Sequence, residues 1–446
     1  MTLSEQAGTR DHASRKLMIA ALIASSIEWY DFFIYATAAA LVFGPLFFPD
    51  STPLIGILLS FATFWAGFVS RPLGGLVFGH LGDRIGRKPA VVTCLIMMGG
   101  ATFLIGVLPG AATIGVLAPV LLVALRFLQG IAVGGQWGGI ILLLTENSAG
   151  SRRGRAGTFG QMGVPLGVIL GNAAFLLVGA TVPHEAFLSW GWRIPFLASA
   201  ALAPVVLFIQ LKVEDTPVFQ ELKERKQQEA ARVEQAPLME VLRSHKRTVL
   251  LGSGLLFATN AVFYISISGL LAYATTELDM DRNALLLLAL GSSAVGVATI
   301  FLSGALSDRW GRRPLIFAGA GLLLVWAFPF FWLVDTATLL GVAIATTVGS
   351  VGSSLTYGPL AAYLSELFEP RVRYSGASLA YQLAAILVSG GTPFIMTALL
   401  AATGTSASVA AFLFAMALVT LLSAWGLRET RPTAATDPAA ARVAQA

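Results

Sequence analysis

The chain has 446 residues, of which 56% are hydrophobic and only 12% charged, and its mean hydropathy is +0.76. That balance excludes a soluble domain of this length, and recurring apolar runs of about 18 residues or more read as membrane helices. One cysteine and four scattered histidines exclude an intrachain disulfide and give no thiolate or histidine metal cluster.

Twelve apolar spans follow in order, over 17–47, 54–82, 89–109, 113–145, 156–182, 190–211, 248–276, 284–306, 314–334, 336–365, 374–402 and 407–427. The polar segment 1–16 precedes a run too long for a signal-peptide core, and that run carries two acids, so no cleavage is expected. An even number of spans puts both termini on one side. All but four of the 29 Lys and Arg residues (Arg71, Arg126, Arg193 and Arg282) then fall in cytoplasmic segments when both termini are cytoplasmic. The net charge of +5 is thus a signal of membrane orientation rather than of nucleic-acid binding. The longest polar insertion, 213–247, divides the spans into a six-helix half over 17–212 and another over 248–427. The tail 428–446 is rich in Ala and Pro, lacks an apolar run, and is expected to be disordered.

Four charges interrupt the spans near mid-depth. Glu28 and Asp31 are three residues apart in the first span, so they share a helix face, and Tyr35 returns to the same stripe. Arg71 lies in the second span. Arg126 lies about 13 residues into the fourth, roughly 20 Å deep at the helical rise. Ionisable groups at that depth are costly and mark cavities or partner charges. Two acids and two arginines are able to pair and leave little net charge. In a functional role, Arg71 or Arg126 meets an anionic substrate with its planar fork while Glu28 or Asp31 exchanges a proton. In a structural role, the four charges lock the first span to the second and fourth. The sequence leaves open which acid carries the proton.

An internal repeat relates the halves. Gly79-His-Leu-Gly-Asp83-Arg84-Ile-Gly86-Arg87-Lys88-Pro89 joins spans two and three, and Gly304-Ala-Leu-Ser-Asp308-Arg309-Trp-Gly311-Arg312-Arg313-Pro314 joins spans eight and nine. A second echo places Glu146 and Glu366 after spans four and ten, each followed by an Arg-x-Arg pair. Two parallel six-helix repeats around a central site are a plan of secondary transporters.

The paired G-x-x-x-D-R-x-G-R-[KR] segments resemble the signature loop of the major facilitator superfamily. Ile27 to Tyr35, Ser70-Arg71-Pro72-Leu73-Gly74-Gly75, the run from Arg126 to Gly139, Glu214 to Phe219 and Arg373-Tyr374-Ser375-Gly376 resemble its metabolite:H⁺ symporter family. Gln136 departs from the glutamate that members often carry there, and glutamine does not take up a proton. The resemblance implies an all-α membrane protein of twelve transmembrane helices in two six-helix bundles, with spans one, four, seven and ten lining a cavity. Candidate substrate contacts are then Arg126, Gln129, Gln136 and Trp137 in span four, Asn260 and Tyr264 in span seven, and Tyr357 in span ten. Arg71, Tyr35, Gln161, Asn172, Tyr381 and Gln382 come from the neighbouring or facing spans. Polar side chains in apolar spans also hold helices together, which is the structural alternative for each. Gly79, Asp83, Arg84, Gly86, Arg87 and Lys88, with Asp308, Arg309, Gly311 and Arg312, form by resemblance a conformational latch, and Glu146 and Glu366 are expected to pair with its arginines.

No lysine follows a glycine and none follows an aspartate, so the phosphate loop of nucleotide-driven transporters and the aspartyl-phosphate motif of pumps are both missing. No nucleophile–base pair emerges, so no enzyme, cofactor or metal site is expected. The expected function is import of a small carboxylate or zwitterion by proton symport through alternating access, with sodium as the alternative coupling ion. The protein is expected to act as a monomer, contacting lipid but not nucleic acid, in a bacterial inner membrane. Efflux or uniport of amphipathic compounds is the alternative within transport, although Val164 interrupts the Gly-Pro run of antiporters. A transporter-like sensor is the alternative from another class, and no signalling domain is appended to support it.

Overall fold

The computed structural model describes residues 3–75, 77–78, 87–134, 153–201, 241, 243–369 and 372–431. Among them the chain is helical throughout, with no strand. The principal helices are α1 (Leu3–Leu41), α2 (Pro53–Gly75), α3 (Arg87–Val107), α4 (Leu117–Val133), α5 (Arg153–Thr181), α6 (described over 194–201), α7 (Lys246–Thr276), α8 (Arg282–Trp310), α9 (Arg312–Val334), α10 (Leu339–Leu367), α11 (Ser375–Thr403) and α12 (Ala407–Gly426). Nine of the described helices are long and apolar enough to cross a membrane, and stretches of α3 and α4 are shorter apolar helices. Most of the central insertion and of the tail lies outside the described residues.

The elements match the hydropathy reading, with three differences. The polar segment over 3–16 continues α1 rather than standing apart from it. The second signature segment is not a loop, because α8 runs on to Trp310 and α9 starts at Arg312. The whole reversal falls on Gly311, whose φ of +101° is strained for any residue with a Cβ. Finally, α7 and α11 each contain a π-helical turn, over Ile265–Gly269 and Ala385–Ser389. Such turns carry one residue more than an α-turn and concentrate at functional sites.

Helices pack first within each half. In the first, α1 lies against α5, and α4 lies against α2 and α3. In the second, α10 lies against α8 and α9, and α12 against α7 and α9. The α2–α4 crossing is set by glycine. A Cβ on Gly130 would collide with the Gly67 carbonyl, and one on Gly134 with the Arg71 carbonyl, so the two backbones touch. The halves meet along α5–α8, α5–α10, α2–α11 and α1–α7. Their shared core is aromatic: Phe33 stacks toward Phe263 and Tyr264, and Phe64 and Phe68 pack on Tyr264. At the end of the bundle away from Gly311, Asp335 at the close of α9 accepts hydrogen bonds from Tyr273 of α7 at 3.0 Å and from Ser406 before α12.

Candidate functional site

A cavity opens between the halves. Its walls come from α1, α2 and α5 on one side and from α7, α8, α10 and α11 on the other. Arg71 is the only charged side chain among the described residues that line it. The phenols of Tyr264, Tyr357 and Tyr381 lie within electrostatic reach of that guanidinium and line the same cavity. Both π-turns border it through Ser266, Ile267 and Ser389.

Arg71 and Arg126 are both almost fully buried. Aromatic faces take the place of water around them. The Arg71 guanidinium carbon lies 4.3 Å from the Phe68 ring centroid and 4.9 Å from that of Phe32, while that of Arg126 lies 4.2 Å from Phe32, 4.2 Å from Tyr35 and 4.9 Å from Phe64. A desolvated contact of this kind is worth about 2 kcal/mol. Arg126 reaches this position by crossing Gly67, where a Cβ would stand 2.7 Å from its Nε. Nε and Nη2 of both arginines have no hydrogen-bond partner among the described residues.

The direct pairing open to two acids and two arginines is not present among the described residues. No ion pair joins Glu28 or Asp31 to Arg71 or Arg126 among the described residues. The physical reason is that Phe32, one turn beyond Glu28 on α1, takes both arginines onto its ring. Glu28 is half-buried, and its charge acts on Arg71 from beyond contact distance. Asp31 is buried beside Ser199 of α6 and Thr102 of α3, with Oδ1 unpartnered. A polar chain leads from there to the second arginine: Thr102 Oγ1 accepts from Gln129 Nε2 at 2.7 Å, and Gln129 Oε1 accepts from Arg126 Nη1 at 3.0 Å. Each arginine thus has its own acid, Glu28 directly through space and Asp31 through two side chains.

The other candidate contacts separate by position. Asn260, Tyr264, Tyr357 and Tyr381 line the cavity. Arg126, Gln129 and Tyr35 sit behind its wall, and the Tyr35 hydroxyl bonds Thr63 at 2.6 Å. Gln161 donates to the Tyr357 carbonyl at 3.1 Å and Gln382 to the Gly134 carbonyl at 3.4 Å, so both tie one half to the other. Asn172 accepts from Thr37 at 2.9 Å and lines a smaller apolar cavity that shares Ser266, Ile267 and Thr346 with the main one. Gln136 and Trp137 lie outside the described residues.

The latch candidates of the second repeat converge. Asp308 accepts from the backbone N–H groups of Gly154 at 2.8 Å and Arg155 at 3.0 Å, which open α5 in the other half. An acid there satisfies otherwise orphaned donors and the positive end of the helix. Arg312 bridges Asp308 at 2.7 Å and Glu366 at 3.1 Å, so the expected Glu366 pairing is present. Arg309 is exposed. Gly79, Asp83, Arg84, Gly86 and Glu146 lie outside the described residues, and so do the side chains of Arg87 and Lys88 at the start of α3. The end of the chain joins this cluster. Glu429 accepts from the N–H groups of Arg312 and Arg313 at 2.9 Å each, and the Thr430 hydroxyl donates to Glu366 at 2.7 Å. At the opposite end of the same α5–α8 seam, Arg282 lies 4.0 Å from the Phe187 ring centroid. The seam thus carries a contact near each end.

Two groups escaped the sequence reading. Phe32, Phe64 and Phe68, which no charge or motif singles out in the sequence, hold the arginines. Ser292 and Ser293 on α8, with Ser350, Ser353 and Ser354 on α10, line the cavity. The steps from Thr346 through Ser350 and Ser353 to Tyr357 fall at helical spacing and would have marked a polar stripe.

Comparison with known proteins agrees with this architecture. The sequence profile described as Major Facilitator Superfamily matches residues 32–390. The chain is 40% identical over 433 residues to the inner membrane metabolite transport protein YhjE of Escherichia coli, covering 96% of this chain and 97% of that one. It is 35% identical to the shikimate transporter of the same organism, over 94% of this chain and 95% of the other. It is 31% identical to the proline/betaine transporter of Salmonella typhimurium, over 100% and 90%. The partially occluded, inward-open structure of the xylose transporter XylE from E. coli superposes with a TM-score of 0.72 at 15% identity, covering 95% of this chain and 99% of that one. The chain is not an enzyme: it is a membrane transporter of small molecules, and it belongs to the major facilitator superfamily.

Proposed function

We propose that this transporter imports a small organic acid or zwitterion by proton symport. One observation carries the reading: a single cation among the described residues, Arg71, faces the interhalf cavity with three phenols around it. Guanidinium and phenol are hydrogen-bond donors suited to a carboxylate. Glu28 and an incoming carboxylate compete for the field of Arg71, so substrate binding favours a proton on Glu28, and a proton on Glu28 favours substrate. One proton enters with each substrate. The cycle is electroneutral for a monovalent anion and carries one positive charge inward for a zwitterion. The end bearing Asp308 faces the cytoplasm of an inner membrane, in keeping with the distribution of Lys and Arg. Breaking the Asp308–α5 contact opens the cavity to that side, and the Arg282–Phe187 contact then holds the other side shut. The protein works as a monomer and needs no cofactor beyond the coupling proton. Purified protein in liposomes with an imposed inward proton gradient should accumulate acids from a panel of carboxylates and amino acids. Equal accumulation with and without the gradient would refute proton coupling, and no uptake of any acid would refute the carboxylate reading.

A further inference from the structure

The cavity is polarised in its hydrogen bonding. A hydroxyl has one proton and two lone pairs. Along the wall supplied by the second half, five hydroxyl protons are already committed to backbone carbonyls. Ser266 donates to the Val262 carbonyl at 2.8 Å, Ser292 to that of Ala289 at 3.2 Å, Thr346 to that of Val342 at 2.8 Å and Ser350 to that of Ser292 at 2.8 Å. Ser353 donates to the Thr259 carbonyl at 3.3 Å. All of these side chains line the cavity. What they offer a bound molecule is therefore lone pairs. Arg71 offers only donors, joined there by the phenols of Tyr264, Tyr357 and Tyr381, and no carboxylate lines the cavity among the described residues.

We infer that the cavity selects a monocarboxylate that carries O–H or N–H donors away from its carboxylate, and that it rejects dicarboxylates and acids with a bare hydrocarbon end. This rests on the reading of the cavity as the substrate site. The carboxylate seats at Arg71, and the donors seat on the serine and threonine lone pairs. A second carboxylate would meet those lone pairs with its own and lose its water without replacement. A hydrocarbon end would strip water from the hydroxyls and return nothing.

The test is a set of six-carbon acids of matched chain length: gluconate with hydroxyl donors, hexanoate with none, and adipate with a second carboxylate. Binding is measured by isothermal titration calorimetry on the full-length protein in lipid nanodiscs. Gluconate should bind about tenfold or more tighter than either of the others, the equivalent of two net hydrogen bonds. Ser350→Ala should bring the gluconate-to-hexanoate ratio toward one. Because Ser350 also bridges α10 to α8, Ser266→Ala, whose bond stays within α7, serves as the second variant. Hexanoate or adipate binding as tightly as gluconate would overturn the inference and leave the acid-transport reading intact. Binding by none of the three, in protein that takes up another acid under a proton gradient, would also overturn it alone. The same silence in protein that takes up no acid would overturn both.

Discussion

The guanidinium of Arg126 rests 4.2 Å from the ring centroid of Phe32, and the same ring carries Arg71 at 4.9 Å. One phenylalanine thus serves as the shared support of two buried cations on two helices. Phe32→Leu keeps most of the volume and removes the π-face. It should lower stability by about 1–3 kcal/mol, read as a fall in melting temperature in nanodiscs, and reduce uptake. Phe32→Tyr should restore most of both. An unchanged melting temperature in Phe32→Leu would show that the arginines need no such support.

The two arginines should part company in kinetics. Arg71 faces the cavity and Arg126 sits behind it. Arg71→Lys keeps the charge but loses the planar fork, and should raise KM by about tenfold or more. Arg126→Lys should lower thermal stability and maximal rate while changing KM little. A larger KM change in Arg126→Lys than in Arg71→Lys would reverse the assignment.

Glu28 and Asp31 separate by their routes to the arginines. Glu28→Gln should preserve counterflow exchange and abolish accumulation against a gradient, because the proton site is lost while the cavity remains. Asp31→Asn should slow transport through the Thr102–Gln129–Arg126 chain and still permit accumulation. Uphill uptake surviving in Glu28→Gln and vanishing in Asp31→Asn would move the proton to Asp31.

Asp308 holds the two halves together through the first turn of α5. Asp308→Asn should weaken that contact by about 1.5–3 kcal/mol, the range of hydrogen bonds to a charged group. The population open at that end should rise, measured as faster labelling of a cysteine placed on the cavity-facing side of α10 near Glu366. Unchanged labelling would mean that other contacts close this end.

Glu429 supplies a pH dependence outside the spans. Burial acts to raise its carboxyl, but backbone N–H groups of Arg312, Arg313, Arg431 and Thr430 outweigh that and hold it below its ordinary value of 4.5. A carboxyl lowered on folding contributes stability that is present above its ordinary value and is lost as pH falls through the lowered one. Acid melts should therefore show a decline below about pH 4.5 that Glu429→Gln lacks, its stability being lower already at neutral pH. Parallel acid limbs for the two proteins would exclude the contact as a source of that decline.

Hydropathy and the repeated signature made the helices and the ion-paired residues of the second repeat legible, because membrane spans must be apolar and signature motifs are contiguous. Arg312, Glu366 and Asp308 meet as expected since short-range charge pairs at helix ends have few alternatives. The partners of Arg71 and Arg126 were not legible. Charge balance left Glu28 and Asp31 as candidate partners, whereas the arginines rest on the rings of Phe32, Tyr35, Phe64 and Phe68. The serine stripe of α10 was overlooked for a related reason: serine is common in apolar helices, and only the cavity distinguishes a lining hydroxyl from one spent within its helix.

The π-turn over Ile265–Gly269 absorbs one surplus residue, so the segments of α7 on either side of it keep the phase that an unbroken α-helix one residue shorter would give them. The helix therefore holds a removable residue. Deleting one position within that turn would heal α7 into a regular helix, with Tyr273 still at Asp335 and Asn260 and Tyr264 still at the cavity. A single codon thus separates a regular α7 from one that bulges into the cavity wall, while both ends of the helix stay fastened as before.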